Sequence, residues 1–526
     1  MGSVTTESLA GMLALIGAVI AVSAMLSGFV ERSNFPQVAV FLLLGAVLGP
    51  AGVNVLTVGL DSPVLRVVAT LSLALVLFTD ALSLNIPQVR KNVGLAGAIL
   101  GPGTLISTAI IAIGGYYLLD LPATHAAILA AALASTDPVL LRGLLRREDL
   151  PSRARLALQL ESGLNDVVLL PIVLVAMALA VPGEHGTNFP KLILQMLVLG
   201  PGAGALVAAI GIGALELVRK KAPPRRDYES IFSLGICLAA FAAAESLHGS
   251  GYLAAFAAGL TISALDVELC DCFKEYGETT AEMLLMFTFV LMGGTLIWSG
   301  LGLLDVMIGA FVALALAARP LVLAATLRPL GLDRSSRRII AWFGPRGLST
   351  LLLVLVPVFD KVPGVERLFA IASVVVLLSV AIHGLSIMAF ARKPRKHVKP
   401  VAAPPVGATA PTLEETISAA AAKDLIDRGQ RVRLVDVRSE RAYLNSEEML
   451  YGSLRLNLDR PVADAEAKGL PRDFWILLYC TCPSEQTSLR VARELRTAGW
   501  GKAVAVVGGW DALLEAGLIS EPKQID

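Results

Sequence analysis

Between Leu9 and Ala391 the chain is a succession of apolar runs of about 20 residues parted by short polar connections. Each run is long enough to cross a hydrocarbon core of roughly 30 Å as a helix. The pattern predicts thirteen spans at approximately 8–29, 37–58, 64–86, 93–119, 123–145, 154–181, 189–218, 228–248, 251–268, 279–299, 301–327, 336–358 and 365–391. It stops at about 392, where "KPVAAPPVGATAP" reads as a partly extended linker over 392–412. Over 413–526 the pattern changes again. "RVRLVDVR", "FWILLYC" and "AVAVVGGW" are strand-like, and "TSLRVARELRTAG" carries helical spacing with a closing glycine. Strands alternating with helices predict a small α/β domain. The organisation is thus a membrane domain at 1–391, a linker, and a small domain at 413–526.

Composition sharpens this. Of 526 residues, 55% are hydrophobic and 17% charged, against nearer a quarter charged in soluble chains. Mean hydropathy is +0.70. Net charge is +1, so no overall bias points to nucleic acid. The cations are segregated instead. Arg32, then Arg90 and Lys91, Arg146, Arg147, Arg153 and Arg155, the group from Arg219 to Arg226, Lys274, and Arg334, Arg337 and Arg338 fall in alternate connections. The positive-inside rule makes that set cytoplasmic. With an odd number of spans, the N-terminus is expected outside and the C-terminal domain inside. The first run lacks a basic n-region and follows Glu7, so it reads as a retained helix rather than a cleaved signal.

Charged side chains deep in a bilayer are costly and normally face a cavity or a partner. Three clusters stand out. In "LQLESGLNDVVLLP", residues 158–171, Glu161 and Asn165 share one helix face, while Ser162 and Asp166 share the next. In "ALASTDPVLL", Asp137 follows Thr136 and precedes Pro138, which removes a backbone donor and disfavours helix before it. Freed carbonyls, a hydroxyl and a carboxylate would suit a small hard cation. In "WFGPRGLSTLLL", Gly344, Pro345 and Gly347 flank Arg346, a second interruption. The two interruptions lie seven spans apart, and paired interruptions in two halves point to a transporter site. Arg346 cannot itself hold a cation, so its expected partner is Glu161. Asp80 sits at the end of its span, and Glu245 and His248 read as structural.

"ESGLND" at 161–166 resembles the E-S-x-x-N-D motif of the NhaP and animal sodium/proton exchanger branch of cation/proton antiporters. "STDPV" at 135–139 is similar to its T-D-P motif, and "GPRG" at 344–347 to its arginine-bearing helix. "AESLHGSGYLAAFAAGL" at 244–260 is similar to a fourth recurring stretch. The resemblance implies an α-helical polytopic membrane protein of about thirteen helices, in inverted repeats with crossed, broken helices. It implies a homodimer and elevator-like alternating access in the cell (inner) membrane. It makes Asp166 the central ion- and proton-binding carboxylate, with Thr136, Asp137 and Ser162 completing the site for the transported monovalent cation, and Glu161 paired with Arg346. Asn165 stands where electrogenic relatives carry a second aspartate, which implies electroneutral exchange of one cation for one proton. Asp80 falls near an acidic position of the family.

"LVDVRSERAYLNSEEMLYGSLRLNL" and the stretch 477–517 resemble the D-x-R strand, active loop and G-G-W turn of rhodaneses. Cys480 follows the strand as the family's cysteine does, whereas Cys482 has the family's spacing to Ser488. Thr487 replaces the usual arginine and Glu485 is added, so a regulatory role is expected before sulfur transfer. Cys270 and Cys272 form a second C-x-C pair on an expected cytoplasmic loop. Taken together the chain reads as a secondary antiporter exchanging sodium, lithium or potassium for protons, needing no cofactor and binding no nucleic acid. The competing classes are a membrane-anchored sulfurtransferase or persulfide sensor, and an ion channel.

Overall fold

Inside lipid every backbone N–H and C=O must find a partner within the protein, and a helix supplies that from its own residues. The computed structural model describes residues 37–392 and 415–523, apart from 55, 57, 85, 146, 148–149, 181–188, 222–225 and 266–270 in the first stretch and 439–442, 444–447, 459–460 and 481–485 in the second, together with 17, 21, 22 and 25. The expected span 8–29 lies outside the described residues save for those four positions. The chain divides into two compact units, Met1–Lys396 and His397–Asp526.

The first unit is helical. Its principal helices are α1 (Gln37–Leu48), α2 (Pro63–Leu82), α3 (Val93–Leu118), α4 (Ala123–Ala134), α5 (Pro138–Leu145), α6 (Ser152–Ala180), α7 (Gly200–Lys221), α8 (Arg226–Ser246), α9 (Gly251–Ala264), α10 (Asp271–Gly294), α11 (Val306–Thr326), α12 (Arg334–Trp342), α13 (Leu348–Phe359) and α14 (Val365–Arg392). Among the described residues seven helical stretches are long and apolar enough to cross a membrane, or eight if Thr279–Gly294 and the bent turn Leu296–Leu303 count as one span. The apolar helices α1, α9 and α13 are shorter, as is the apolar part of α8. Local chemistry sets several boundaries. Ser250, Asp305 and Asp333 each turn a side-chain oxygen onto a free N–H in the first turn of α9, α11 and α12. Within α3, Pro102 sits in a π-turn at Ile99–Gly103, which absorbs the bond that proline cannot donate.

Packing gathers the helices into two groups. One joins α3, α4, α6 and α11, with α13 and α14 beside them, and the other joins α1, α2, α7, α8, α9 and α10. In the second group helices approach backbone to backbone. A Cβ on Gly45 of α1 would collide with the Val290 carbonyl of α10, and one on Gly293 of α10 with the Leu42 carbonyl of α1. Helix association in lipid relies on such close approach, because no hydrophobic drive separates helix from acyl chain.

The second unit carries a five-stranded parallel sheet in the order β1-β6-β5-β2-β4. Its strands are β1 (Thr416–Ser418), β2 (Val432–Asp436), β4 (Leu454–Arg455), β5 (Trp475–Tyr479) and β6 (Ala503–Val507). A separate antiparallel pair joins β3 (Glu448–Leu450) to β7 (Ser520–Pro522). Central strands buried on both faces should be continuously apolar. β5 reads Trp-Ile-Leu-Leu-Tyr and β6 Ala-Val-Ala-Val-Val, with Ile476, Leu478 and Ala503 entering one core and Leu477, Tyr479, Val504 and Val506 the other.

Gly293→Ala should force α1 and α10 apart and lower the melting temperature in detergent, with an overpacking cost of about 1–3 kcal/mol. Gly302→Ala, whose added Cβ would meet nothing within 4 Å, should leave the melting temperature unchanged.

Candidate ion site

The chain leaves helical geometry at 135–137, between α4 and α5, and at 343–347, between α12 and α13. The two interruptions meet. The Asp137 amide donates to the Pro345 carbonyl at 2.9 Å, and Arg346 Nη1 donates to the carbonyls of Ala134 and Ser135 at 2.7 and 2.9 Å. Each interruption exposes a helix C-terminus and a helix N-terminus in a low-dielectric interior, and each end carries partial charge.

Three charged side chains serve those four ends. Asp137 Oδ1 accepts from the amides of Val139 and Leu140 at 2.8 and 3.3 Å, and its Oδ2 accepts from the Leu348 amide at 2.6 Å. One carboxylate thus caps the N-termini of both α5 and α13. Arg346 caps the C-terminus of α4 through the two carbonyls already named. Arg319, from the middle of α11, caps the C-terminus of α12: Nη1 donates to the Ala341 carbonyl and Nη2 to that of Ile340, both at 2.9 Å. The glycines of "GPRG" make room for this. A Cβ on Gly344 would strike the Arg319 guanidinium, and one on Gly347 would strike the Asp137 carboxylate.

The expected Glu161–Arg346 pair is not what forms. Glu161 is held by Arg319, with Nε on Oε1 at 2.5 Å and Nη2 on Oε2 at 2.6 Å, both side chains buried. Arg346 reaches Glu161 only through Thr136, whose Oγ1 accepts from Arg346 Nη1 and donates to Glu161 Oε1, each at 3.3 Å. The physical reason is shape. A planar guanidinium matches a carboxylate two bonds at a time, and α11 aims one squarely at α6, while the fork of Arg346 is turned to the α4 carbonyls. Arg319 lies outside every motif singled out in the sequence, yet it carries the same signal that marked Arg346: a lone cation beside a proline within an apolar run, "ALAARPLVL".

Asp166 is buried, and its Oδ1 accepts from Ser135 Oγ at 2.5 Å. Ser135 is therefore the hydroxyl beside Asp166, whereas Ser162 was expected there. Ser162 is buried but turns its hydroxyl back onto the Gln159 carbonyl of its own helix at 3.4 Å. Residues four apart share a helix face without their side chains touching, and a hydroxyl inside a helix readily returns to a preceding carbonyl. Asn165 is fully buried, and among the described residues neither its amide nitrogen nor its oxygen has a hydrogen-bond partner. Asp80 is half-buried, two residues from the end of α2. Glu245 accepts from the Gly251 amide at 2.9 Å and so braces the turn between α8 and α9.

Among the described residues the buried Asp, Glu, Lys and Arg side chains of the first unit are Asp137, Glu161, Asp166, Arg319 and Arg346. Three carboxylates against two guanidiniums leave one negative charge when all are ionised. No trio of His, Cys, Asp or Glu with the geometry of a resident metal site occurs among the described residues.

In the second unit Cys480 directly follows β5 and is fully buried, with its sulfur 3.6 Å from Ser488 Oγ and its carbonyl accepting from the Trp510 amide. Asp436 and Arg438 form a buried pair at 2.7 Å, and Arg438 lies 4.3 Å from the centroid of the Trp510 ring. Burial, reinforced by Asp436, pushes the Tyr479 phenol up from its ordinary value. Cys270, Cys482 and Glu485 lie outside the described residues, as does the side chain of Cys272.

Comparison with known proteins bears on the first unit. A profile of the family described as "Sodium/hydrogen exchanger, transmembrane" matches residues 18–393. The chain is 26% identical over 396 residues to the K(+)/H(+) antiporter NhaP2 of Shewanella sp. (strain ANA-3), covering 73% of this chain and 67% of that one. It is 26% identical over 385 residues to the Na(+)/H(+) antiporter NhaP of Pseudomonas aeruginosa, covering 67% and 88%. In fold it is similar to the sodium proton antiporter MjNhaP1 from Methanocaldococcus jannaschii at pH 8, with a TM-score of 0.60 and 18% identity over 71% of this chain and 98% of that chain.

Removing one partner of a buried ion pair should cost about 3–5 kcal/mol. Arg319→Met should therefore lower the melting temperature sharply, and Glu161→Gln in the same chain should recover part of the loss. Glu161→Gln should give no such recovery to Arg346→Met, and the reverse pattern would assign the pair to Arg346.

Proposed function

The chain belongs to the sodium/hydrogen exchanger family, and we propose that it exchanges one monovalent cation for one proton at Asp166 by alternating access. It is a membrane transporter, not an enzyme, and its relatives are named K(+)/H(+) and Na(+)/H(+) antiporters. The observation that carries the stoichiometry is the single uncompensated negative charge of the buried cluster. In a low-dielectric interior that charge is tolerable only when neutralised. A proton on Asp166 neutralises it, and so does one bound monovalent cation. Occupancy by either, never both, keeps the mobile unit electrically the same in both directions.

Within this reading Asp166 is the carboxylate that binds. Ser135 stands beside it with a hydroxyl oxygen, Thr136 lies next along the same break with its hydroxyl between Glu161 and Arg346, and Ser162 is a ligand only if its rotamer turns away from Gln159. Asp137 has three amides on its two oxygens, so it acts on the ion through its charge and through the helix ends that it holds. Asn165 supports the reading in a different way. A buried amide without partners is expensive, and a site that takes up a hydrated cation or water supplies them. Sodium, lithium and potassium all suit hard oxygen donors, and the names of the relatives span two of these cations.

The wider assignment follows the same resemblance: thirteen helices in inverted repeats, a homodimer, the N-terminus outside, and the basic connections with the second unit on the cytoplasmic side. We assign the second unit a rhodanese-like fold with a regulatory task. Its parallel sheet and its Asp436–Arg438 pair support the fold, and the burial of the Cys480 thiol speaks against Cys480 as a nucleophile, leaving Cys482 as the candidate. A membrane-anchored sulfurtransferase is not favoured, because an anchor needs no buried five-charge cluster.

Asp166→Asn in proteoliposomes should abolish sodium- or potassium-driven proton flux while elution and melting behaviour stay native, and residual coupled flux would refute the role of Asp166. Asn165→Asp adds a second titratable carboxylate. It should make exchange sensitive to an imposed membrane potential, which the native protein should ignore.

A further inference from the structure

The segment 343–347 is fastened on two sides, and only one of them belongs to the ion site. On one side stands Asp137. On the other, the Arg346 amide donates to Ser379 Oγ of α14 at 2.7 Å. A hydroxyl that accepts this bond still has its own proton to place. His383 Nδ1, one turn further along α14, lies 3.0 Å from Ser379 Oγ and 3.1 Å from the Ser379 carbonyl. The Trp342 ring is tilted against the same ring with centroids 5.8 Å apart. Ser379 and His383 are both buried.

We propose that His383 and Ser379 are positioning residues for transport, a latch that holds the unwound segment against α14 and thereby sets where Arg346 and Asp137 stand relative to Asp166. One assignment of protons carries the link through Ser379 Oγ: the Arg346 N–H donates to Ser379 Oγ and the Ser379 O–H donates to His383 Nδ1. It takes a ring with no proton on Nδ1. A proton on Nδ1 would donate to the Ser379 carbonyl and Oγ instead, and the Ser379 hydroxyl would lose its acceptor.

The charges around the ring favour the same state. Arg346 from the interruption and Arg319 from α11 face it. α5, packed on α14, brings Arg142, which is ion-paired with Glu282 of α10, and α12 brings Arg338 a turn before Trp342. α13 and the turn 296–303 bring no charged group, and α4 brings only His125 at its far end. Of the carboxylates, Glu161 is taken up by Arg319 and Asp166 by Ser135. The latch thus holds when the ring is neutral and loosens when it is charged, through a group distinct from the transported proton's carboxylate.

The proposal rests on the antiport reading, which wild-type flux and its loss in Asp166→Asn test separately. The experiment uses full-length protein in vesicles, with sodium- and potassium-driven proton flux followed from about pH 6 to pH 8.5. His383→Ala should slow exchange about tenfold, the scale of one buried hydrogen bond left unmade. His383→Asn places an oxygen where Nδ1 stands and should recover exchange to within about twofold. Its rate relative to wild type should rise as the pH falls, because asparagine cannot be protonated there. Ser379→Ala should match His383→Ala, and the double variant should be no worse than either. Wild-type behaviour of His383→Ala, failure of His383→Asn to recover, or full additivity of the two alanine variants would each overturn the latch. If His383→Ala does not fold, His383→Asn and Ser379→Ala decide the matter through the same pH ratio.

Discussion

Two interrupted helices meeting inside a low-dielectric bundle impose the constraint on which the rest of this molecule depends. Four helix ends point into the bundle, and their partial charges must be met there without water. Asp137 meets both N-termini, Arg346 meets the C-terminus of α4, and Arg319 meets that of α12. Most of the nearby sequence serves this arrangement. Gly344 and Gly347 lack side chains because the Arg319 guanidinium and the Asp137 carboxylate occupy that space. Pro138 begins α5 where a missing N–H costs nothing. Glu161 is present because Arg319, once buried, needs a carboxylate as well as carbonyls.

This arrangement also explains why the site is at once rigid and unfinished. Four of the five buried charges are tied to backbone or to one another. Among the described residues Asp166 has a single donor, Ser135, and its neighbour Asn165 has no side-chain partner. A carrier needs such a place: a charge that the protein leaves for the cargo to neutralise, set on supports that do not give way. The supports reach beyond the site, through Ser379 to His383 on α14, so the geometry at Asp166 is linked to a helix that contributes no carboxylate.

Much of this was legible in the chain, and the limits of legibility are physical. A charge inside an apolar run is costly wherever it lands, so Asp137, Glu161, Asp166 and Arg346 announced themselves without a structure. Arg319 carried the same signal and lay outside the quoted motifs. Pairing was not legible. The choice of Arg319 over Arg346 as the partner of Glu161 depends on which guanidinium plane α11 or the 343–347 segment turns toward α6. The replacement of Ser162 by Ser135 beside Asp166 depends on a rotamer and on a contact across 31 residues of chain. In the second unit β2, β5 and β6 were plain from their apolar runs, whereas the short β1, β3, β4 and β7 were not. The parallel order was not legible either, because strand order is decided by crossovers that leave no mark in a strand's own residues.

The sequence by itself determined which segments must be helical in an apolar solvent, where two of them must break, and that carboxylates and an arginine would be buried near those breaks. Proline chemistry, the cost of burying charge, and the length of apolar runs are properties of the chain alone. The tertiary structure decided which helix end each charge would neutralise, which arginine would hold Glu161, and which hydroxyl would face Asp166. Those choices rest on directions and distances of a few ångströms between elements far apart in sequence, and only packing sets them.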